Sequence, residues 1–192
     1  MRRKVTFPAR PRLALARGYT LAELLAAVAV VGILAALAIV YVRKYIHAAY
    51  AGEAKSVING IRAAQAVYLS EHLAYANCSA SLTSYYPHDP PDDKKWSFTA
   101  PTHGEYACWN RLNVNTDGPV RYVYAVVAGA GNTALPTSIP DNPTAPTWPT
   151  VVGARPPWFV VHASGDIDSD GMRSSFWSSS FSRDIRVERE DE

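Results

Sequence analysis

A run of nineteen uncharged residues near the N-terminus limits the fold of this chain more than any other feature. From Leu24 to Val42 the sequence is LLAAVAVVGILAALAIVYV, with charged residues on both sides of it. At about 1.5 Å of rise per helical residue, the run is roughly 28 Å long, close to the thickness of the hydrocarbon core of a bilayer. We therefore predict a membrane-spanning helix over residues 24–42.

The charges on either side of this run predict its orientation. Residues 1–18 contain six basic side chains and no acidic one, whereas residues 19–192 contain 13 basic and 17 acidic side chains and carry a net charge of −4. By the positive-inside rule, the basic end stays in the cytoplasm and the body of the chain lies across the membrane. A near-neutral to acidic body also argues against nucleic-acid binding as the main function.

Two simpler explanations of the apolar run are an ordinary signal anchor and a cleavable secretory peptide. A secretory peptide has a shorter apolar segment, which is followed by small residues at a cleavage site. Here the run leads directly into Arg43 and Lys44. The pattern therefore favours a helix that the mature protein keeps, and a signal anchor stays open as an alternative.

Glu23 lies at the start of the apolar run, where a carboxylate near lipid needs a partner or a function. Cleavage after Gly18 would make Tyr19 a new N-terminus, four residues before Glu23. Positions four apart lie on one helix face. We therefore expect the new amine to meet Glu23 of the same subunit or of an adjacent one.

The segment that contains these residues reads Arg17-Gly18-Tyr19-Thr20-Leu21-Ala22-Glu23-Leu24-Leu25 and continues into the apolar run. It resembles the class III signal of type IV prepilins and pseudopilins, closely over residues 17–42. The resemblance implies a basic prepilin leader over residues 1–18, cleavage after Gly18 by a prepilin peptidase, and N-methylation of Tyr19. It also implies that Glu23 acts in subunit assembly.

Helical periodicity continues beyond the apolar run. Apolar and aromatic residues recur every three or four positions, which is typical of a helix face that packs on other elements: Tyr50, Ala54, Val57, Ile61, Ala64, Tyr68 and Tyr75. We predict one long helix over residues 19–75, with a membrane-spanning first half. The predicted class is α+β, with a pilin-like helix packed on a C-terminal antiparallel sheet.

Residues 76–192 are predicted to form a globular, β-rich domain outside the cytoplasm. Five segments with strand-like composition are Tyr106–Val114, Val120–Ala128, Trp158–Ala163, Ser174–Phe181 and Ile185–Glu188. Asp117-Gly118 predicts a turn between the first two segments. Seven prolines predict an exposed irregular loop over residues 135–157.

The domain contains two cysteines, Cys78 and Cys108. In an exported protein we expect them to form a disulfide, whereas in the cytosol two free thiols would be expected. No C-x-x-C motif points to a redox or zinc site. Asn77-Cys78-Ser79 also fits a glycosylation sequon, but disulfide formation explains Cys78 better.

Residues 165–171 carry carboxylates at alternate positions, Asp166, Asp168 and Asp170, as the first part of an EF-hand loop does. The twelfth loop position would be Trp177, which has no oxygen ligand, so the segment is not an EF-hand. Two hypotheses stay open: a calcium-binding loop of the kind some pseudopilins have, and a solvated acidic turn without metal. No other cofactor is expected.

No G-x-S-x-G, Walker or dinucleotide-binding motif is present, and we expect no enzymatic activity. The resemblance implies a structural subunit of a type IV pilus-like filament. Its precursor would span the inner membrane once, with a cytoplasmic N-terminus, before joining a periplasmic or cell-surface filament. Its partners would be copies of itself or other pilins, the prepilin peptidase and the inner-membrane assembly machinery.

Two alternatives to a pilus subunit stay open. The first is a pseudopilin of a type II secretion system, favoured by the candidate calcium loop and by the absence of proline between Pro11 and Pro87. The second is a membrane-anchored periplasmic binding module that does not polymerise. The filament and binding-module hypotheses differ in what they require of the apolar helix, which must pack on other subunits only in a filament.

Overall fold

The computed structural model describes residues 18–150 and 153–190, so the predicted leader lies outside the described residues except for Gly18. The described elements, in chain order, are α1 (Leu21–His72), α2 (Tyr106–Leu112), β1 (Val123–Gly129), β2 (Trp158–Gly165), β3 (Ser174–Ser179) and β4 (Ser182–Glu188). A long N-terminal helix followed by a four-stranded antiparallel sheet confirms the predicted α+β class.

The chain divides after Val42 into two compact units. In the first unit, all described side chains from Leu21 to Val42 are exposed, including Leu25 at 62% and Ile33 at 64% of their full accessibility. This part of α1 is long and apolar enough to cross a membrane, and none of its most apolar window is buried within the chain. Water is a poor solvent for so many exposed apolar side chains, which favours lipid or protein around them.

The second unit begins at Arg43, and in it α1 is amphipathic. Its buried residues recur every three or four positions, at Ala51, Ala54, Val57, Ile58 and Ile61. The predicted stripe is therefore confirmed at its centre, while its flanking members Tyr50, Ala64, Tyr68 and Tyr75 are partly buried against the same core. This face packs against the sheet.

The sheet has the strand order β1-β2-β3-β4, with each neighbouring pair antiparallel. Side chains alternate between its two faces. One face contributes Val126, Val161 and Phe176 to the core that includes α1. The opposite face contributes Trp158 and Val160 to a second cluster.

The Pro-rich loop supplies much of the cover for that opposite face. Leu135 and Trp148 of the loop pack on the second cluster, and Ile139 is buried within it. Residues 135–150 contain no helix or strand, as the predicted irregular loop requires, but the expected exposure is wrong at Ile139, which is buried. The role of the loop in covering the sheet was not predicted, because proline composition alone does not show where a loop packs.

The first predicted strand, Tyr106–Val114, is wrong, because this segment forms the helix α2. Its buried residues, Trp109 and Leu112, are three positions apart, as on a helix and not as on a strand. Asn113 ends the helix with a φ of 55°, a left-handed conformation that asparagine tolerates. The Asp117-Gly118 segment therefore does not join two strands.

The Cys78–Cys108 disulfide is present, with Cα atoms 5.2 Å apart. It connects the segment that follows α1 to the middle of α2. The intervening residues contain no other helix and no strand of the sheet, although Tyr86 forms an isolated bridge with Tyr124. The disulfide thus closes a long irregular segment against the core.

His162 is a fully buried histidine on the sheet face that the loops cover. Its Nδ1 lies 3.2 Å from the carbonyl oxygen of Leu82, and its Nε2 lies 2.9 Å from the Ser175 hydroxyl. The Ser175 hydroxyl also lies within 3.3 Å of the Pro140 carbonyl oxygen. This network links β2 and β3 to both covering loops.

Burial lowers the pKa of His162 to about 4, although the Leu82 carbonyl and the Asp141 carboxylate act in the opposite direction. The unfolded chain therefore binds a proton more readily than the folded chain as the pH falls from about 6.5 to about 4. The Tyr85 hydroxyl, 3.5 Å from Nδ1, is neutral in this range. We expect the free energy of unfolding to fall by about 2 kcal/mol between pH 7 and pH 4.5 because of this histidine.

Urea unfolding of a fragment lacking residues 1–42 at several pH values measures this effect. A His162→Gln variant cannot gain the proton, so its stability should depend less on pH than that of the unsubstituted fragment. Equal pH dependence in the two proteins would show that His162 does not carry the effect.

Candidate functional sites

The predicted cleavage site lies in non-helical backbone immediately before α1. Gly18 and Tyr19 precede the first helical residue, Leu21, and Tyr19 is 82% exposed. A Cβ atom added at Gly18 would meet no atom within 4 Å. The fold therefore does not require glycine at position 18, so a requirement for it would come from an enzyme that binds this segment.

Glu23 is held by Thr20 in a capping box at the start of α1. The backbone N–H and the hydroxyl of Thr20 both donate to Oε2 of Glu23, at 2.8 Å each. In return, the Glu23 N–H donates to the Thr20 hydroxyl oxygen at 3.3 Å. These reciprocal bonds satisfy donors that a helix N-terminus otherwise leaves without partners.

Thr20 is a partner of Glu23 that the predictions from the sequence do not include. The signal was present, because a Ser or Thr three residues before a Glu and next to an apolar run is the pattern of a capping box. Both Thr20 bonds use Oε2, and Oε1 of Glu23 has no hydrogen-bond partner among the described residues. Oε1 is therefore available to a further donor such as an amine.

We expect Glu23→Ala to leave cleavage intact and to reduce assembly strongly, because an amine at the helix bundle would lose its counter-charge. Thr20→Val should give a weaker defect, since it keeps the carboxylate but loses a cap that contributes about 1 kcal/mol. Mass spectrometry measures cleavage, and immunoblotting of sheared filaments measures assembly.

The control for these variants is Glu71→Ala, which removes the same charge from an exposed position in the last turn of α1. It should assemble normally. If the filament level of Glu23→Ala equals that of the Glu71→Ala control, Glu23 has no role in assembly.

The three aspartates of the acidic loop lie together between β2 and β3. One carboxylate oxygen from each of Asp166, Asp168 and Asp170 lies within 4.8 Å of the others. Asp166 is partly buried, and its Oδ1 is enclosed without a hydrogen-bond partner. The predicted residues therefore converge, as a site for a hard cation requires.

The same loop also has features of an acidic turn without metal. Oδ2 of Asp166 accepts a bond from the Gly171 N–H at 3.2 Å, and Oδ1 of Asp170 accepts one from the Met172 N–H at 2.7 Å. Such bonds reduce the repulsion between carboxylates without a cation. Convergent oxygens and backbone donors are thus both present, and the two hypotheses make opposite predictions for added calcium.

If the loop binds calcium, the ion should raise the melting temperature of a fragment lacking residues 1–45. The physical reason is that the ion binds the folded loop and not the unfolded chain. Asp168→Ala and Asp170→Ala together should abolish the increase, while Glu71→Ala should keep it. Identical melting curves with calcium and with chelator would support the metal-free turn.

The network of His162 and Ser175 also contains the atoms of a nucleophile–base pair, with Nε2 at 2.9 Å from Oγ. Both residues have no exposed surface, so a substrate could not reach the hydroxyl in this conformation. The Nδ1 atom faces a backbone carbonyl and not a carboxylate. We assign this pair a structural role in holding the loops on the sheet.

Comparisons of the chain with protein-family models, with curated proteins and with solved structures find no match.

Proposed function

We propose that this chain is a structural subunit of a type IV pilus-like filament, made as an inner-membrane prepilin. Cleavage after Gly18 and N-methylation of Tyr19 would convert it to its mature form. The α1 helices of the subunits would then pack together in the filament core, with the sheet domains at its surface.

The observation that carries this proposal is the combination of the Gly18–Glu23 segment with an apolar helix that the chain itself leaves uncovered. The exposed side chains of residues 21–42 need a partner, which is lipid before assembly and other helices after it. In a membrane anchor alone, Glu23 would cap α1 through Oε2, and Oε1 would have no role. Subunit assembly would give Oε1 a role.

Glu23 would act in assembly through its Oε1 atom. The capping box fixes the carboxylate at the first turn of α1 through Oε2, which leaves Oε1 to accept a bond from a mature N-terminus. A positive amine and a carboxylate that enter a helix bundle as a pair avoid the cost of burying either charge alone. The pairing would therefore set the axial position of one subunit against the next.

Deletion of the gene tests the proposal against its alternatives. If the chain is a pilus subunit, surface filaments should disappear when the gene is deleted and return when the gene is restored. Loss of protein secretion with surface filaments intact would replace the proposal with the pseudopilin of a type II secretion system. If both filaments and secretion are intact and the chain sediments as a membrane-bound monomer, it is an anchored binding module.

A further inference from the structure

Residues 143–150 of the Pro-rich loop, which we call the Thr/Pro segment, have an unusual composition. The segment reads Pro-Thr-Ala-Pro-Thr-Trp-Pro-Thr, so that Thr144, Thr147 and Thr150 each directly follow a proline. Proline fixes its own φ angle and disfavours helix at the residue before it, which keeps such a segment extended. Threonine-rich segments with proline are typical of chains that carry O-linked sugars.

The three threonine side chains of the segment are exposed, and none of their hydroxyls takes part in a hydrogen bond among the described residues. Two other threonines of the domain, Thr83 and Thr116, differ. The hydroxyl of Thr83 lies 2.9 Å from that of Ser81, and the hydroxyl of Thr116 donates to the Gly118 carbonyl at 3.1 Å. The hydroxyls of the Thr/Pro segment are thus free to react, unlike those of Thr83 and Thr116.

Trp148 anchors the middle of the Thr/Pro segment. Its indole N–H donates to the Pro136 carbonyl at 2.8 Å, and its ring packs edge-on to Trp177 with centroids 5.7 Å apart. Thr147, the neighbour of this anchored side chain, is exposed. The segment therefore holds its backbone on the domain while its hydroxyls face solvent, which suits an enzyme that must bind the peptide from outside.

We propose that the Thr/Pro segment is an O-glycosylation site, at which one or more of Thr144, Thr147 and Thr150 accept a sugar. The threonine oxygen attacks the anomeric carbon of a sugar that carries a diphosphate leaving group. A glycosidic C–O bond forms, the bond from the anomeric carbon to the diphosphate oxygen breaks, and the hydroxyl proton passes to a base of the transferase. The sugar comes from a nucleotide-linked or a lipid-linked donor, which have the same diphosphate chemistry.

Mass spectrometry of the intact chain, purified from the cells that make it naturally, tests the inference. The chain should be heavier, by one or more whole sugar residues, than the polypeptide that starts at its observed N-terminus, and fragmentation should place the sugars on the Thr/Pro segment. A triple variant, Thr144→Ala with Thr147→Ala and Thr150→Ala, should lose the added mass. A control with Thr83→Ala and Thr116→Ala should keep it.

An unmodified mass for the natural chain would overturn the inference, as would added sugar that persists in the triple variant. If the triple variant is not produced, the peptide map of the natural chain decides alone. Deletion of the flippase for lipid-linked sugars identifies the donor, because the sugar is lost for a lipid-linked donor and kept for a nucleotide-linked one. The measurement does not require the chain to polymerise, so it can fail or succeed independently of the filament proposal.

Discussion

Replacing Gly18 with Val should leave the whole population of the chain at its precursor mass. The unsubstituted chain should instead begin at a monomethylated Tyr19. A Cβ atom at position 18 meets no atom of the fold within 4 Å, so the substitution should not disturb the protein itself. Its effect should come from the peptidase, which must bring its catalytic groups close to the backbone on both sides of the cleaved bond. We therefore expect complete loss of processing and, as a consequence, complete loss of assembly.

The matched control is Gly32→Val, the same substitution within the apolar part of α1. A Cβ atom at Gly32 also meets nothing within 4 Å, and valine is tolerated in a membrane-spanning helix. This variant should be cleaved as efficiently as the natural chain. Mass spectrometry of the membrane fraction measures both variants. An intact Met1 start in the unsubstituted membrane protein, or a normal mature start in Gly18→Val, would contradict the cleavage hypothesis.

The parts of the fold that sequence predicts well are those with a long periodic pattern. The stripe centred on Ala54 and Ile61 spans many turns, so the α1 helix and its packing face follow from the sequence. The strand β2 follows for a different reason, since its dense apolar and aromatic composition is bounded by proline before Trp158 and by Gly165. In both cases the local sequence was enough.

The errors occur where the pattern is short. The predicted strand Tyr106–Val114 contains two aromatic side chains, but only the spacing of Trp109 and Leu112 separates a helix from a strand in so short a segment. The cover of the second sheet face by Ile139 and Trp148 depends on long-range packing that no local pattern records. The bond between Thr20 and Glu23 does not depend on long-range packing, because a Thr three residues before a Glu is a local capping signal in the sequence.

For the candidate sites too, the sequence predicts which residues lie in one short segment but not how the rest of the fold packs around them. The sequence placed three carboxylates within one short loop, and in the structure their oxygens converge. It could not show that Oδ1 of Asp166 is enclosed without a hydrogen-bond partner, since that depends on how β2 and β3 enter the loop. It also could not show that His162 is buried, because a histidine in a strand can face either side of a sheet.

Replacing both cysteines with serine should lower the free energy of unfolding of a fragment lacking residues 1–42 by about 3 kcal/mol. Cys78 and Cys108 are 30 positions apart, and the bond between them limits the freedom of the unfolded chain over that whole distance. The folded chain needs this restriction because the enclosed segment has little regular structure. Its attachments to the core include the backbone bonds between Tyr86 and Tyr124 and between Trp96 and Val120.

Urea unfolding of the fragment, with and without a reducing agent, measures the contribution of the disulfide. The reducing agent should lower the stability of the natural fragment to that of the Cys78→Ser, Cys108→Ser variant, and should leave the variant unchanged. A Ser81→Ala, Thr83→Ala fragment controls for substitutions within the same segment, because it keeps both cysteines. If the oxidised fragment and the serine variant unfold at the same urea concentration, the packing of Tyr86 and Trp109 holds the segment in place without the covalent bond.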